Sequence, residues 1–530
     1  MINKHFLKCL FVCMALIALT LTAPQIVLAC GGGIICVNAD ASGPIHDGLS
    51  WTTAYTNVQD ALAATTAIAH EIWIAEGIYY PDLGAGQIND AVTATFAIQP
   101  GMTLYGGFAG TESTLDLRDP ATYITVLSGD IDGNDLINAH GVVSTTDHII
   151  GNNAYHVVTN KSVTETAQVE TARLDGFTIT AGDARTYGYE KGGGMENDGN
   201  ISLSNVIFEG NRAFSGGGMY NHSSKAVLMA VIFRHNRGIP DGGGMYNAQD
   251  GNAILTDVTF SHNGAVTGGG MYNTGHVTMT NGAFSGNAIG RGSGAGISNA
   301  YSGTLMLNDV TFKENSTAMS GGGIANSGEA TLVNITFSGN FAGVSGGGMA
   351  NSGSGAVNLI NVAFYGNQGY VGGGMSTNGT HPTLTNATFG GNFAHMNCGG
   401  LSGPVTLVNS IVWGNESASA DPQYKQICDM ETSAIIFSDI QWPGGVYTGT
   451  GNINVDPQFV APITATAAPT TTGDYHLRVT SPAINAGNSL SVTVTTDLDG
   501  NPRIASKAVD MGPYEIAIKQ IFLPLVLKTE

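Results

Sequence analysis

The sequence is poor in charged residues. Lysine and arginine account for 19 of 530 residues and aspartate and glutamate for 40, so charged residues make up 11% of the chain. With a net charge of −21, the chain lacks a basic surface for neutralising phosphates, which disfavours nucleic-acid binding. Hydrophobic residues still amount to 42%, so a large core can form and global disorder is not expected.

Long hydrophobic runs are scarce, and the one that stands out is near the N-terminus. Lys4 and Lys8 precede an apolar run, Cys9 to Ala23, which is shorter than the ~20 residues that a membrane-spanning helix needs. We therefore interpret residues 1–29 as a cleaved export signal. The segment Val27-Leu28-Ala29-Cys30 also resembles a bacterial lipoprotein box. Lipid on Cys30, C-terminal sorting and free secretion are alternative fates of the mature chain.

Cysteine is rare, and no pair of cysteines has the Cys-x-x-Cys spacing of a zinc site. Once the export signal is removed, four cysteines remain: Cys30, Cys36, Cys398 and Cys428. They can form two disulfides in an oxidising compartment. The sequence leaves their pairing open, and lipid on Cys30 would leave one of the others without a partner.

Glycine, by contrast, is abundant, with 75 residues, but it does not recur at every third position, which excludes collagen. Gly-Gly-Gly-Met or a variant recurs with starts 24 to 27 residues apart, at Gly192, Gly216, Gly242, Gly268, Gly294, Gly321, Gly346, Gly372 and Gly399. A second series, Phe-x-x-Asn, alternates with the first and begins at Phe208, Phe233, Phe260, Phe284, Phe312, Phe337, Phe364 and Phe389. Two series in phase indicate a repeat architecture.

The repeat predicts an all-β solenoid with ~26 residues per coil. The pattern Leu-x-x-Val-x-Phe, as in Leu203, Val206 and Phe208, is interpreted as a short strand of period two with one buried face. Each coil is too short for a helical crossover, so each strand should pair in parallel with its counterpart one coil away. Phe then stacks on Phe and Met on Met to form a continuous core.

Asparagine follows the Met or Ile position by two residues in seven coils. We expect these amides to form a structural hydrogen-bond ladder from coil to coil: Asn197, Asn221, Asn247, Asn273, Asn299, Asn326 and Asn351. Thr377 should end the ladder. The methionine series shares its register with Ile297, Ile324 and Leu401, which favours core packing over metal ligation.

Over about residues 191–415 these two motifs resemble the repeats of the polymorphic outer membrane proteins, whose motif pair is GGA[ILV] and FxxN. The resemblance implies a right-handed parallel β-helix of the pectin-lyase-like type, exposed at the cell surface and used in adhesion. Three later blocks, residues 481–487, 497–503 and 509–515, resemble the choice-of-anchor Q domain of such surface proteins.

These observations divide the chain into five parts. After the signal at 1–29 come an N-terminal cap and irregular coils at 30–190, regular repeats at 191–415, choice-of-anchor Q-like coils at 416–515 and an apolar tail at 516–530. Apolar residues at helical spacing between Asn57 and Ala69 predict a short helix. This helix should cover the open end of the first coil, whose unpaired backbone would otherwise invite aggregation.

The regular repeats are poor in groups for catalysis. There is no lysine or arginine between Lys313 and Lys425 and no aspartate between Asp309 and Asp421, whereas a lyase needs a base and calcium-binding carboxylates. Weak candidates for calcium are Asp130, Asp132 and Asn134, and a small charged site is suggested by Asp116, Arg118 and Asp119. Six histidines occur at unrelated registers and are expected to be exposed turn residues: His222, His235, His262, His276, His381 and His395.

The sequence therefore predicts an exported, monomeric β-helix without catalytic residues, located at the cell envelope or outside the cell. Its partners are expected to be polysaccharides or cell-surface components, with peripheral or anchored membrane association as an option and no nucleic acid. No cofactor is expected apart from the calcium candidate. A polysaccharide lyase or glycoside hydrolase of the pectin-lyase-like fold and a structural matrix or sheath protein are the alternatives.

Overall fold

A computed structural model describes residues 30, 32–65, 71–161, 171–428 and 434–516. The predicted export signal at 1–29 and the tail beyond residue 516 lie outside these ranges. The described chain winds as a parallel β-solenoid with very little helix, which confirms the predicted fold class. None of the helices in the described ranges has the length and apolar character that a membrane span requires.

Three parallel sheets run along the solenoid. Sheet 1 has 21 strands: Ile34–Val37, Glu71–Ala75, Gly77–Tyr79, Thr103–Phe108, Thr125–Ser128, Ala172–Asp175, Thr178–Thr180, Ile201–Ser204, Ile207–Glu209, Lys225–Met229, Ile232–Arg234, Asn252–Ser261, His276–Ser285, Thr304–Lys313, Glu329–Ser338, Val357–Tyr365, Thr383–Gly390, Thr406–Val408, Ile411–Trp413, Ala434–Ile436 and Asp439–Ile440. Sheet 2 has 12 strands: Phe96–Ile98, Val158–Asn160, Met195–Asn197, Met219–Asn221, Met245–Asn247, Met271–Asn273, Ile297–Asn299, Ile324–Asn326, Met349–Asn351, Met375–Thr377, Leu401–Ser402 and Ile427–Cys428. Sheet 3 has 10 strands: Asp183–Ala184, Arg212–Ser215, Arg237–Asp241, Gly264–Ala265, Ala288–Ile289, Ser316–Thr317, Phe341–Ser345, Gln368–Val371, Phe393–Asn397 and Glu416–Ser417.

The core consists of like residues stacked from coil to coil. Eight buried phenylalanines of sheet 1, from Phe208 to Phe389, stack with centroid distances of 4.6–4.9 Å. Opposite them the methionine series of sheet 2 pairs in register, as Met219 with Met245 and Met271 with Ile297. All of these side chains are buried. The two stacks form one continuous core that no single coil could bury alone.

The strands of sheet 1 depart from the predicted period of two. A strict alternation would place Leu203 and Val206 on opposite faces, yet both are buried. Asn205 lies between them with φ +51°, and the equivalent residues of later coils, such as Asp257 and Asn334, also have positive φ. Asparagine and aspartate tolerate this left-handed conformation, and the local bend turns the second half of the strand inward.

Both ends of the solenoid are covered. The α-helix Val58–Ala64 packs against the strands Ile34–Val37 and Phe96–Ile98, with Val58 and Ala61 buried. At the other end Trp442 and Tyr447 pack on the core. Short 3-10 turns lie at Leu115–Leu117, Thr146–His148, Pro422–Tyr424, Ala465–Ala467 and Ser489–Ser491.

Residues 456–516, which we call the C-terminal strap, fold back along the outer side of the last coils. The strap contains one antiparallel pair of strands, Phe459–Ala461 and Asp474–Leu477. It lies against three corner glycines with φ of +59° to +63°: Gly339, Gly366 and Gly391. A Cβ at Gly366 would lie 2.2 Å from the Thr470 carbonyl oxygen, so side chains at this corner would displace the strap.

The C-terminal sequence blocks meet around a buried arginine. Arg503 is 1% exposed; its Nη2 donates to the carbonyls of Asp510 and Gly512 and lies 3.5 Å from a Glu515 carboxylate oxygen. Asp497 accepts the Glu515 amide at 2.9 Å. These contacts join the blocks at 497–503 and 509–515 and give their spacing a structural role within the strap.

Candidate binding surface

The outer face of sheet 2 carries a stack of three tyrosines. Tyr220, Tyr246 and Tyr272 are the central residues of successive strands and pair in register. Their ring centroids are 4.8 Å apart for the first pair and 5.1 Å for the second. Burial raises the pKa of Tyr220 to about 12 and also raises the pKa of Tyr272, so the rings are neutral at ordinary pH.

The two ends of this stack differ. The Lys191 ammonium lies 4.9 Å from the Tyr220 ring centroid, which is a cation–π contact. At the other end Ser298 follows Tyr272 in register, and a serine side chain is too small to cover a ring. The outer face of Tyr272 therefore borders open space.

That space is a cavity of about 500 Å³, which we call the tyrosine–serine groove. Its floor is formed by the residues that follow Tyr272 in register: Ser298, Ala325, Ala350 and Ser376. Serines on both sides bond to each other across coils, at 3.0 Å between Ser320 and Ser345 and 3.3 Å between Ser327 and Ser352. At ~4.8 Å per coil the groove extends about 19 Å from Tyr272 to Ser376.

The groove is uncharged. Its described lining contains no aspartate, glutamate, histidine, lysine or arginine. Tyr301, which is 77% exposed, stands at its side. The groove therefore offers a ring face, hydroxyls and amides, and its described lining supplies no carboxylate, imidazole or amine for acid–base chemistry.

Charged residues gather at the opposite, Lys191 end of the stack. Glu196 precedes Tyr220 in register and lies 3.5 Å from the Lys161 ammonium and 3.8 Å from His156 Nε2. Burial lowers the pKa of His156, although Glu196 acts in the opposite direction. The outer face of sheet 2 thus changes from charged to neutral along the axis.

The seven asparagines of the expected ladder are buried at one corner of sheet 2. Each Nδ2 donates to the Oδ1 of the next asparagine at 2.7–2.9 Å, from Asn197 as far as Asn351. Asn160 extends the row by one coil, and at Thr377 the contact lengthens to 3.5 Å. Because the amides are saturated by one another, they are not available to a ligand.

A second asparagine ladder has no counterpart in the sequence interpretation. The asparagines of the Phe-x-x-Asn series stack in the same way, with Nδ2 to Oδ1 distances of 2.9–3.1 Å: Asn211, Asn236, Asn263, Asn287, Asn315, Asn340, Asn367, Asn392 and Asn415. Each of their Nδ2 atoms also donates to a backbone carbonyl, as Asn315 does to Phe284 at 2.9 Å. In the sequence, the constant three-residue spacing from Phe to Asn in each coil was the signal from which this second ladder could have been predicted.

The calcium candidates lie together in one loop. Asp130 accepts the amides of Asn134 and Asp135, and Asp132 accepts the Asn134 side-chain amide at 2.8 Å. Burial raises the pKa of Asp135 to about 6. The described residues contain no group of three or more histidine, cysteine, aspartate or glutamate side chains placed to hold a metal ion. A role in calcium binding stays a prediction.

Arg118, Asp116 and Asp119 line a cavity of about 700 Å³ on sheet 1. The Arg118 guanidinium lies 2.8 Å from an Asp175 carboxylate oxygen, donates to the Gly106 carbonyl at 3.0 Å and covers the Tyr105 ring. It is therefore engaged by Asp175, Gly106 and Tyr105 rather than by the two neighbouring aspartates that the sequence analysis suggested.

Two histidines require a correction. His235 and His262 were placed at unrelated registers, but both follow the core phenylalanine by two residues and stack with centroids 5.3 Å apart. Burial, followed by the neighbouring His262, lowers the pKa of His235. The shared Phe-x-His-Asn spacing explains the contact.

The four remaining cysteines form two disulfides, Cys30–Cys36 and Cys398–Cys428, with Cα atoms 5.8 and 5.6 Å apart. The second joins the last glycine-rich turn to the strand Ile427–Cys428 of the next coil. A Cys30 sulfur bonded to Cys36 has no thiol for lipid attachment, so these two fates of Cys30 exclude each other.

No protein-family model matches the sequence, and no curated protein is significantly similar to it. Among solved structures, the crystal structure of the pectate lyase Pel9A is similar at 13% sequence identity and a TM-score of 0.31, covering 91% of this chain and 96% of that one. At this identity the likeness concerns the fold and carries no information on activity.

Proposed function

We propose that this chain is a non-catalytic β-helix that binds a neutral polysaccharide along the tyrosine–serine groove. The observation that carries the proposal is the open ring face of Tyr272 at the head of an uncharged groove lined by hydroxyls. A pyranose ring presents C–H faces that pack on an aromatic ring, and its hydroxyls can exchange hydrogen bonds with the serines and with the exposed Asn378. An extended groove suits a chain of sugars.

We place this binding at the cell surface or outside the cell, where it would serve adhesion. The export signal in residues 1–29 and the resemblance of the repeats to polymorphic outer membrane proteins support this setting. Two disulfides fit an oxidising compartment. The covered ends of the solenoid fit a monomer, because they leave no exposed coil for end-to-end pairing.

The alternative of a lyase or hydrolase needs a free base and carboxylates facing a cleft. Arg118 is the strongest basic candidate, but its guanidinium is occupied by Asp175 and the Gly106 carbonyl. The groove itself lacks acids and bases in its described lining. These contacts favour binding over cleavage. A matrix protein, the third alternative, would instead self-associate without glycan.

Replacement of Ser298 by tyrosine tests the proposal. The fold should accept Ser298→Tyr, since three preceding coils carry tyrosine in this register, and the new ring would cover Tyr272 and fill the groove head. Met306→Tyr is the matched control, because Met306 is 54% exposed on sheet 1. The wild type and both variants are passed over immobilised neutral and acidic polysaccharides, and new chain ends are counted in parallel.

We expect retention of the wild type and of Met306→Tyr on at least one neutral polysaccharide, and binding about tenfold weaker for Ser298→Tyr. No new chain ends should appear. Equal retention of the two variants would reject the groove as the site. Reproducible cleavage would reject the non-catalytic assignment, and Arg118→Gln would then be the variant to assay.

A further inference from the structure

A third cavity, of about 500 Å³, lies between the last coils and the C-terminal strap. Three aromatic side chains, Trp413, Phe459 and Tyr475, form one part of its wall. Phe459 and Tyr475 meet edge to face with centroids 5.0 Å apart, and both are buried. Trp413 is half-buried at the end of the strand Ile411–Trp413. The volume is in the range of small-molecule sites.

The rest of the wall is polar. Asp456, Gln458 and Arg478 line the same cavity. Arg478 is positioned by two bonds, Nε to the Phe459 carbonyl at 3.2 Å and Nη2 to the Val460 carbonyl at 2.7 Å. Its Nη1 and the Trp413 indole N–H have no partner among the described residues. One carboxylate and one guanidinium leave the wall without net charge.

Tyr475 is 3% exposed and directs its hydroxyl toward the backbone of Ile463, so its ring forms a fixed part of the wall. One feature of this wall is typical of a functional site. Gln458 has φ +54°, a strained conformation for a residue of its size, and such strain concentrates at functional sites.

The wall of this cavity requires glycine at the adjoining corner position, Gly391. A Cβ at Gly391 would lie 2.3 Å from the Tyr475 hydroxyl oxygen and 2.5 Å from Ile463 Cγ1. Gly414, the next corner glycine, also lines the cavity. A side chain at Gly391 would therefore displace Tyr475 and Ile463, which both line the cavity.

We propose that this cavity is a binding site for a single neutral pyranose residue, which packs one face on Trp413 and bridges Asp456 and Arg478 through its hydroxyls. A sugar hydroxyl donates to a carboxylate while accepting from a guanidinium, so a wall with one of each matches a neutral polyol. An aromatic wall beside these groups matches its C–H face. The site is separate from the tyrosine–serine groove and does not depend on it.

The probes are the methyl α-pyranosides of glucose, galactose and mannose, with galacturonate and glucosamine as charged counterparts. Binding to the full mature chain is followed by tryptophan emission and by saturation-transfer NMR. We expect one neutral glycoside to bind in the millimolar range and to be weakened about tenfold by Trp413→Ala or Asp456→Asn. Because Asp456 is exposed, Asp456→Asn should fold normally. It therefore keeps the proposal testable even if Trp413→Ala does not fold.

Trp442→Phe removes a tryptophan outside the cavity and should leave the emission change in place. Ser298→Tyr, which blocks the groove, should also leave it unchanged, so failure of the groove and failure of this site can be distinguished. The proposal is overturned if no neutral glycoside binds, if a charged sugar binds best, or if Asp456→Asn binds as tightly as the wild type.

Discussion

The ladder of Phe-x-x-Asn residues predicts that Asn315→Ala is among the most damaging single changes in the repeats. The Asn315 side chain is fully buried and takes part in four hydrogen bonds. It donates to the Phe284 carbonyl and to Asn340 Oδ1, both at 2.9 Å. It accepts from the backbone amide of Asn287 at 3.2 Å and from Asn287 Nδ2 at 2.9 Å.

Truncation to alanine removes all four bonds. Asn340 Oδ1 still accepts from the Asn315 backbone N–H at 3.1 Å, so three buried groups lose this partner without a replacement: two N–H groups of Asn287 and the Phe284 carbonyl. A buried polar group that loses its partner costs ~1–3 kcal/mol. A water molecule in the vacated space recovers part of this loss, so we expect a destabilisation of roughly 3–6 kcal/mol. Neighbouring coils should open first, because each coil contacts mainly its neighbours.

Hydrogen exchange read by mass spectrometry measures this local opening. Peptides between Asn287 and Asn340 should lose protection, while peptides from the N-terminal coils should not. Asn334→Gly is the control, because Asn334 is only half-buried and has φ +56° that glycine tolerates. Its side chain donates to Asp309 and accepts from Asn361, and since water can replace such partly exposed bonds the change should cost about 1 kcal/mol. Equal effects of the two substitutions would refute the energetic role of the buried ladder.

Three further predictions concern the C-terminal part. Serine at both Cys398 and Cys428 should lower the stability of the last coils by about 3–4 kcal/mol, seen as lost exchange protection there; unchanged protection would contradict a structural disulfide. Burial lowers the pKa of His476, but the hydrogen bonds that its ring donates to the Asp474 and Asp499 carboxylates outweigh this and raise it. The stabilising effect of His476 should therefore be complete below about pH 6.5 and be lost as the pH rises through the raised pKa. His476→Gln should flatten the dependence of the melting temperature on pH between pH 6 and 9. The same pH dependence in the variant and the wild type would contradict this prediction. Burial raises the pKa of Asp439 to about 7, so the wild type should lose stability as the pH rises from about 4 to about 7. Asp439→Asn should melt higher than wild type at pH 8 but not at pH 4, and equal melting at pH 8 would argue against a buried charge.

The repeat made the solenoid and its core predictable from the sequence. A spacing that returns Phe and Met to the same register in successive coils leaves one arrangement in which each stacks on its counterpart, as Phe312 does on Phe337. The asparagine row at Asn273 followed from the same register. These features depend on periodicity, which a sequence displays directly.

The groove and the strap were not predictable in this way. The open face of Tyr272 results from a change of one residue type, from tyrosine to Ser298, within an otherwise constant register. The cavity at Trp413 is formed by residues that are far apart in the chain, such as Gly391 and Arg478. The bend at Asn205 was not predicted, because side-chain alternation assumes an extended backbone. A left-handed residue shifts the alternation, so that Leu203 and Val206 lie on the same face.

Because the C-terminal strap packs on the corner glycines of the last coils, the number of coils in the solenoid can change without altering its covered C-terminal end. Three of the upstream corner positions carry side chains, His235, His262 and Glu314. The other two, Gly210 and Gly286, have Val143 and His262 as their neighbours, whereas Gly339, Gly366 and Gly391 have residues of the strap. Copying or deleting one repeat unit before Gly339, such as residues 294–320, would change the rod by ~4.8 Å while leaving both covered ends intact. If the groove binds a glycan as we propose, each such duplication or deletion would change the length of glycan it holds by one coil.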